Sequence, residues 1–339
     1  MDPISQAVVG VTAARSQKKN NYLLVILIAA SAGMAPDLDV LINSEKNPLL
    51  SIEYHRHFTH SFFFIPFGAL LIAAFYYLFL KNKFTFKRIY LISFLAYSTH
   101  GLLDACTSYG TLLFWPFSNE RVAWNLISVV DPVFTFTLIL FLALSFFLKK
   151  RIFYFLPIIW ILLYFSLCLT QKNRALNALN DAINLRNHKA TQILIKPSFG
   201  NILLWRTIYV HENKFYIDAV NTSKFSYFCN GTTLIKETPN EILQNFKKNS
   251  VLYEDVKKFI WFSSGYVYFD KKNNMISDIR YAFIPNSDKA LWGIKIKGNN
   301  HQKHVEWYSK NNMEKKVSDR FFSLLLGENC TKIQKNEEL

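Results

Sequence analysis

The sequence predicts an α-helical integral membrane domain of about five to six helices, followed by a soluble, β-rich α+β domain. Two observations support this division. Residues 1–170 contain four apolar stretches of the length that crosses a bilayer, whereas residues 171–339 are polar and carry short alternating apolar runs. A chain of 339 residues is long enough for two domains, and we place the predicted boundary between residues 170 and 171.

The predicted membrane spans of the first half are residues 61–80, 89–110, 126–148 and 152–170. The apolar stretch of residues 22–35 is shorter and ends at Pro36, which interrupts regular helical hydrogen bonding. Residues 4–14 are apolar but too short to span alone. Residues 3–42 are therefore expected to form either one span with an amphipathic lead-in or a short helical hairpin.

Clusters of positive charge between these stretches predict how the protein crosses the membrane, because basic loops stay in the cytoplasm. With three clusters there, the loops at residues 43–60 and 111–125 face the other side. This multi-pass topology places the C-terminal domain outside the cytoplasm. The clusters are Arg15, Lys18 and Lys19; Lys81, Lys83, Lys87 and Arg88; and Lys149, Lys150 and Arg151.

The second half is predicted to begin with an amphipathic helix at residues 173–189 and to continue as short strands. Residues 171–339 hold 26 Lys/Arg and 16 Asp/Glu, and this basic character indicates contact with membrane lipids rather than with nucleic acid. Cys229 and Cys330 can pair if this domain faces an oxidising compartment. The predicted strands are residues 202–210, 215–220, 266–269, 279–283, 290–296 and 305–308.

Metal-ligand side chains concentrate in the apolar half, where four of the eight histidines lie between residues 55 and 100. His100 and Asp104 are four residues apart, so they share one face of a helix. On the predicted topology this pair, together with the ligand-type residues elsewhere in the half, converges at one depth near the outer membrane face. Imidazole and carboxylate groups are the ligands of hydrolytic divalent metals. Those other residues are Asp37, Asp39, His55, His57, His60 and Asp131.

Each of these residues also has a structural interpretation. The pair of His100 and Asp104 can simply join helices through hydrogen bonds. Asp37 and Asp39 lie about 200° apart on an α-helix and reach one site only if Pro36 breaks it; otherwise they mark an interfacial helix end. Arg56 can neutralise a phosphate or place its charge among lipid headgroups. Three further histidines lack carboxylates at ligand spacing and are expected at the surface: His211, His301 and His304.

A series of short motifs resembles the YdjM family of bacterial inner-membrane, metal-dependent hydrolases, also described as LexA-binding proteins. The motifs occur in the family order over about residues 1–135. They are MDPISQ at residues 1–6, APDLD at 35–39, HRHFTHS at 55–61, HGLLD at 100–104, SYGT at 108–111, WPFS at 115–118 and DP at 131–132.

The resemblance implies a bacterial inner-membrane location and metal-dependent hydrolysis. The family is in turn similar to zinc-dependent phospholipases C and single-strand nucleases, which implies phosphoester chemistry. Two positions depart from the family pattern, since His57 replaces a glycine and Gln6 stands where many members have histidine. The LexA-binding description implies a cytoplasmic partner, for which the predicted topology leaves no cytoplasmic domain.

The sequence therefore predicts a hydrolase that cleaves a phosphoester of a small or lipid-linked substrate through a metal-activated water. The expected metal is zinc, with manganese or iron as alternatives, and the predicted catalytic residues are Arg56, Asp39 and Asp131. One alternative is a metal-ion transporter or sensor, and another is a non-catalytic membrane scaffold. The predicted metal ligands are Asp37, His55, His60, His100 and Asp104.

Overall fold

The structure is a computed structural model that describes residues 1–15, 21–148, 151–297, 302–310, 312, 314–328 and 330–332. The chain divides into two compact units. Unit 1 comprises Met1–Ile42, Tyr54–Cys168 and Phe199–Asn201, and unit 2 comprises Asn43–Glu53, Leu169–Ser198 and Ile202–Leu339. The functional boundary that the sequence predicts at residue 170 stays a prediction.

N-terminal helices followed by a β-rich region confirm the coarse fold class. The helices that precede the sheets are α1 (Pro3–Ala14), α2 (Tyr22–Met34), α3 (Leu50–Tyr54), α4 (Ile65–Leu80), α5 (Phe86–Ala105), α6 (Pro132–Phe147) and α7 (Arg151–Leu185). Within the described residues, three segments are long and apolar enough to cross a membrane: Tyr22–Leu41, Phe62–Leu80 and Phe153–Leu185. Of the predicted orientation clusters, Lys18, Lys19, Lys149 and Lys150 lie outside the described residues.

Helices α1 and α2 pack side by side, as in the helical-hairpin alternative for residues 3–42. Glycines make this approach feasible, because a Cβ added at Gly33 would lie 2.7 Å from the backbone oxygen of Gln6. At Gly10 an added Cβ would lie 3.1 Å from the oxygen of Ala29. The close contact brings Gln6 and the end of α2 next to α5, the helix that carries His100 and Asp104.

Two of the predicted spans have different limits in the structure, and α5 and α6 are not among the three candidate spans. Helix α5 ends at Ala105 rather than residue 110, and Gly110 has a positive φ of 91° that no helix accommodates. Helix α6 begins at Pro132 rather than residue 126. The Asp131 carboxylate accepts the Phe134 N–H and caps the helix there.

The predicted span at residues 152–170 and the predicted amphipathic helix at 173–189 form a single helix, α7, of 35 residues. The sequence does not break between them, because Thr170-Gln171-Lys172 carries neither glycine nor proline. In unit 2 the last turns of α7 bury Ala175 and Leu179 against Trp205 and Tyr209 of the first sheet.

Unit 2 contains two antiparallel sheets in its described residues. Their strands are β1 (Gln192–Pro197), β2 (Leu204–His211), β3 (Lys214–Asn221), β4 (Tyr227–Ile235), β5 (Val267–Asp270), β6 (Met275–Asp278), β7 (Trp292–Lys295), β8 (Glu306–Ser309) and β9 (Thr331–Lys332). The first sheet has the order β1-β2-β3-β4-β9 and the second the order β5-β6-β7-β8. The remaining helices are α8 (Pro239–Leu243), α9 (Val251–Phe262) and α10 (Lys315–Leu325).

Five predicted strands overlap observed ones, but the predicted strand at residues 279–283 is wrong. Strand β6 ends at Asp278, whose carboxylate accepts the backbone N–H of Arg280 at 3.0 Å and turns the chain. Only an isolated bridge joins Ala282 to Ala290 beyond it. The sequence reading missed β1, β4, β6 and β9.

A disulfide joins Cys229 of β4 to Cys330, next to β9, and the other two cysteines, Cys106 and Cys168, are free. The pairing considered from the sequence is therefore present. The bond closes a loop with a sequence separation of 101 residues, so it restricts the unfolded chain over most of unit 2.

Counting thiols under denaturing conditions tests this bond. When whole cells are lysed in denaturant with a maleimide-linked polyethylene glycol, we expect two polymer additions, at Cys106 and Cys168, and four after prior reduction. The Cys229→Ser variant is the control and is expected to give three additions without reduction, since it releases Cys330. Four additions to the unreduced wild-type protein would contradict the pairing.

Candidate metal centre

Three segments of unit 1 supply the ligand-type side chains. His100 and Asp104 lie one turn apart on α5, and His60 ends a short 3-10 helix, Phe58–His60. Asp37 lies in a second 3-10 helix, Ala35–Leu41, which follows α2 at Pro36. In an α-helix Asp37 and Asp39 would lie about 200° apart, which is about 160° by the shorter way round. The tighter 3-10 winding reduces this shorter angle to about 120°, so both carboxylates can reach one site.

Four ligand atoms from Asp37, His60, His100 and Asp104 converge within 4.8 Å of one another. The Nε2 atoms of His60 and His100 are 3.0 Å apart, and each lies 3.4 Å from Asp37 Oδ1. Asp104 Oδ2 is 3.3 Å from His60 Nε2 and 3.7 Å from His100 Nε2. His60, His100 and Asp104 are buried, whereas the Asp37 side chain is 23% exposed and marks the open side.

The hydrogen bonds of the two imidazoles direct their Nε2 lone pairs into this group. His100 Nδ1 lies 2.6 Å from the carbonyl oxygen of Gly33, which only accepts, so this nitrogen carries the proton. His60 Nδ1 lies 3.2 Å from Asp39 Oδ2, which also only accepts when ionised. In this tautomer two imidazole acceptors face each other and two carboxylates, an arrangement that a bound cation would stabilise.

The spacing of the four atoms fits a divalent metal ion. Zinc ligands at about 2.0–2.1 Å in a tetrahedron lie about 3.3–3.4 Å from one another, and the five separations given above, from 3.0 to 3.7 Å, bracket this value. Two neutral imidazoles with two carboxylates also suit manganese and iron. The chemistry of the donor set thus fits the predicted cofactor class without selecting one metal.

A second group shares Asp37 with the first and adds Asp39 and His55. His55 Nδ1 lies 2.8 Å from Asp39 Oδ1, and its side chain is 24% exposed. A carboxylate common to two ligand groups is the arrangement by which paired metal ions are bridged. All five ligands predicted from the sequence therefore belong to one group or the other.

Asp39 also fixes the backbone that carries the histidines. Its Oδ2 accepts the N–H of Arg56 at 3.0 Å and the hydroxyl of Thr59 at 2.8 Å. Asp39 is 2% exposed, so its carboxylate is buried and hydrogen-bonded within the unit.

Arg56 lies inside unit 1 at 4% exposure rather than among lipid headgroups. Its Nε is 3.0 Å from Asp104 Oδ2, and its Nη1 donates to Thr107 Oγ1 at 2.8 Å. The side chain therefore places a positive charge directly against a predicted ligand.

Gln6 supports Asp104 from α1. Its Nε2 donates to Asp104 Oδ1 at 2.9 Å, and the Met1 amino group contacts the same oxygen. The Gln6 side chain is fully buried, and its Oε1 has no hydrogen-bond partner in the described part of the chain. The residue that replaces a family histidine thus lies beside the first ligand group.

The structure does not bring Asp131 or His57 into either group. Asp131 caps α6 and accepts the Tyr164 hydroxyl at 2.7 Å, and His57 packs on Tyr54 and Trp115. In unit 2, His211 stacks on His188, and His304 Nδ1 lies 2.9 Å from Asp255 Oδ2. His301 lies outside the described residues.

Sequence reasoning missed several residues that position the ligands. The carbonyl of Gly33 orients His100, and the hydroxyl of Thr59 contacts both Asp39 and His60. Neither has a sequence signature, because a backbone carbonyl is common to every residue and a lone threonine is ordinary. Thr59 does, however, fall within the HRHFTHS motif.

The fold and the cluster together define a membrane protein with a histidine–aspartate group that could hold a metal ion. The family described as "YdjM inner membrane protein" matches residues 1–175, which is more than half of the chain. The chain therefore belongs to the YdjM family. The match covers both ligand groups.

A curated relative is the Bacillus subtilis (strain 168) protein YfhP, which is described as uncharacterized. It is 38% identical to this chain over 108 residues, a segment that covers 32% of each protein. The chain thus matches about a third of the length of that relative. No solved structure matches the chain.

Removal of two buried ligands is expected to abolish metal binding. Elemental mass spectrometry of the detergent-purified His100→Ala/Asp104→Ala protein should find little metal, because half of the first group is gone. The wild type should retain a near-stoichiometric ion. Asp131→Asn is the matched control and should keep its metal, since asparagine also caps a helix. A folded wild type without metal after reconstitution with zinc, manganese or iron would refute the site.

A methyl group on α5 should disturb the site without replacing a ligand side chain. A Cβ added at Gly101 would lie 2.3 Å from the backbone oxygen of His60, so Gly101→Ala must displace that segment. We expect a loss of about 1–3 kcal/mol of stability together with weakened zinc binding, measured by thermal unfolding and by titration. The neighbouring Leu102, which is 41% exposed, provides the control Leu102→Ala. Equal zinc affinity in the two variants would contradict this account.

Proposed function

We propose that this protein is a membrane-bound, metal-dependent hydrolase that acts on a phosphoester of a lipid or lipid-linked substrate. The observation that carries the proposal is the convergence of two Nε2 lone pairs and two carboxylates on one point, with Asp37 open to the outside. A purely structural polar cluster would pair donors with acceptors. Here the contacts of both Nδ1 atoms favour the tautomer in which the two facing Nε2 atoms are acceptors.

A divalent cation in this site, zinc or alternatively manganese or iron, would polarise a phosphoryl oxygen and lower the pKa of a water molecule that it binds. Asp37, His60, His100 and Asp104 would hold it, and Asp37, Asp39 and His55 are suited to a second position. Because the exposed side chains of Asp37 and His55 mark the accessible side, substrate would enter there.

Asp39 and Arg56 would support the reaction in different ways. Asp39 contacts His55 and His60, so it would orient both imidazoles and raise their basicity as ligands. Arg56 would stabilise negative charge that develops on the phosphoryl group. We assign no catalytic role to Asp131, because its contacts are those of a helix cap.

The position of the site favours an amphiphilic substrate. Asp37 and Asp39 lie in the last residues of the candidate span Tyr22–Leu41, which is the depth of lipid headgroups. On the same 3-10 helix, Leu38 is 61% and Leu41 71% exposed. Apolar side chains beside a polar centre suit a substrate that has an acyl or isoprenoid chain and a phosphate.

We further propose that the protein is multi-pass in a bacterial inner membrane, with unit 2 on the non-cytoplasmic side. The family match supports the membrane, and the distribution of basic clusters supports the orientation. The Cys229–Cys330 disulfide is consistent with an oxidising compartment. The similarity of the His100/Asp104 spacing to zinc-dependent phospholipases C and nucleases is part of the same proposal.

Chelation should abolish hydrolysis and added metal should restore it. Inorganic phosphate released from short-chain phosphatidate and from p-nitrophenyl phosphate would be measured in detergent, before and after treatment with a chelator. We expect activity in the metal-loaded wild type, a loss of at least about 100-fold on chelation, and recovery with one of the three metals. The His100→Ala/Asp104→Ala protein should stay inactive, whereas Asp131→Asn should remain active.

Ion flux distinguishes a transporter from a hydrolase. In proteoliposomes, the metal-loaded protein should release phosphate without moving zinc across the bilayer. Metal-dependent zinc flux without phosphoester cleavage would overturn the proposal in favour of a transporter.

A further inference from the structure

Beside the two ligand groups, an aromatic ring of unit 1 lies close to two guanidinium groups. The guanidinium carbon of Arg56 is 4.9 Å from the ring centroid of Tyr109, and that of Arg121 is 5.5 Å from it. Cation–π contacts of this kind hold a planar guanidinium in a defined orientation.

The backbone around Arg121 is fixed by its own contacts. Its Nη2 donates to the carbonyl oxygens of Gly110, at 2.9 Å, and His55, at 3.4 Å. The adjoining residues Thr111 and Val122 pair through two backbone hydrogen bonds. A Cβ at Gly110 would lie 2.9 Å from the Cβ of Arg121, so only glycine leaves room for this approach.

This arrangement adjoins the open side of the metal centre. The rings of His55 and Tyr109 have centroids 5.6 Å apart, and the His55 side chain is one of the exposed ligands. Arg56, on the same tyrosine, contacts Asp104 at 3.0 Å. Arg121 is thus linked to the ligand residue His55 both through the His55 carbonyl and through the Tyr109 ring.

A guanidinium beside a metal centre is suited to a particular ligand chemistry. Arginine presents its N–H groups in a planar fork that matches two phosphoryl oxygens, which a neutral ester carbonyl does not offer. The site also carries three carboxylates, Asp37, Asp39 and Asp104, which oppose the approach of an anion. The positive charges of Arg56 and Arg121 beside the site offset that repulsion.

We propose that Arg121, oriented on Tyr109 beside Arg56, binds the phosphoryl oxygens of the substrate and makes the site selective for phosphate-bearing ligands. This inference deepens the proposed function and rests on it, because only a hydrolase would have the phosphoester as its substrate. The binding of phosphate by Arg121 is testable by itself. If Arg121 only fixes the loop through the carbonyls of His55 and Gly110, its loss should affect stability but not anion affinity.

Binding of inorganic phosphate to the zinc-loaded full-length protein tests the proposal. The thermal unfolding midpoint would be measured at increasing phosphate concentrations and constant ionic strength, with chloride as the reference anion. We expect phosphate to stabilise the wild type. The Arg121→Gln variant should have an apparent Kd for phosphate about 10- to 100-fold higher. Arg121→Lys keeps the charge but not the fork, so an intermediate loss is expected.

The matched control is Arg174→Gln, in unit 2. Arg174 also donates to backbone carbonyls, those of Thr222 and Ser223, but lies on no metal-ligand group. This variant should bind phosphate as the wild type does. Zinc content, measured in parallel, should be equal in all four proteins.

Each outcome has a defined meaning. If the wild type is not stabilised by phosphate, or if Arg121→Lys and Arg121→Gln bind it as tightly as wild type, the inference is overturned. Should Arg121→Gln fail to fold, Arg121→Lys decides. Phosphate binding that depends on Arg121 without any phosphoester hydrolysis would leave this inference standing and refute the proposed hydrolase, so the two failures are distinguishable.

Discussion

The buried carboxylate of Asp104 is the interaction on which the helical unit depends. An ionised carboxylate at full burial is costly unless charged or hydrogen-bonding partners surround it. The partners here come from separate segments: Gln6 of α1, Arg56 of the loop after α3 and His60 of the following 3-10 helix. The contacts that lower the cost of burying this charge are therefore the same contacts that bring the ligand-bearing segments together, and stability and site geometry have one origin.

The sequence predicts the ligand set better than its arrangement. The spacing of His100 and Asp104 on one helix face, and the cluster from His55 to His60, suffice to name the residues, because both patterns are local. The sequence does not show which carboxylate orients the histidines and which one faces the metal centre. That assignment depends on the 3-10 winding after Pro36 and on the Gly33 carbonyl, neither of which has a residue-type signature.

Helix and strand limits differ from prediction where single polar contacts override the apolar pattern. The run at residues 126–148 is apolar apart from Asp131 and a few Ser and Thr residues, yet α6 starts only at Pro132 because Asp131 caps it. The strand predicted at 279–283 fails because Asp278 turns the chain. Strand β1 was missed although Ile193, Leu194 and Ile195 form an apolar run, since its Lys196 and Pro197 resemble a loop.

Arg56 has a positive φ of 62°, a conformation that costs a side-chain-bearing residue about 1 kcal/mol or more. Its N–H bonds to Asp39, and its carbonyl accepts from Leu112. This backbone conformation is therefore maintained by groups that lie 17 residues before it and 56 after it. Because both of these hydrogen bonds are long-range, amide exchange at Arg56 and Leu112 should proceed through one shared opening rather than through independent fraying of two loops.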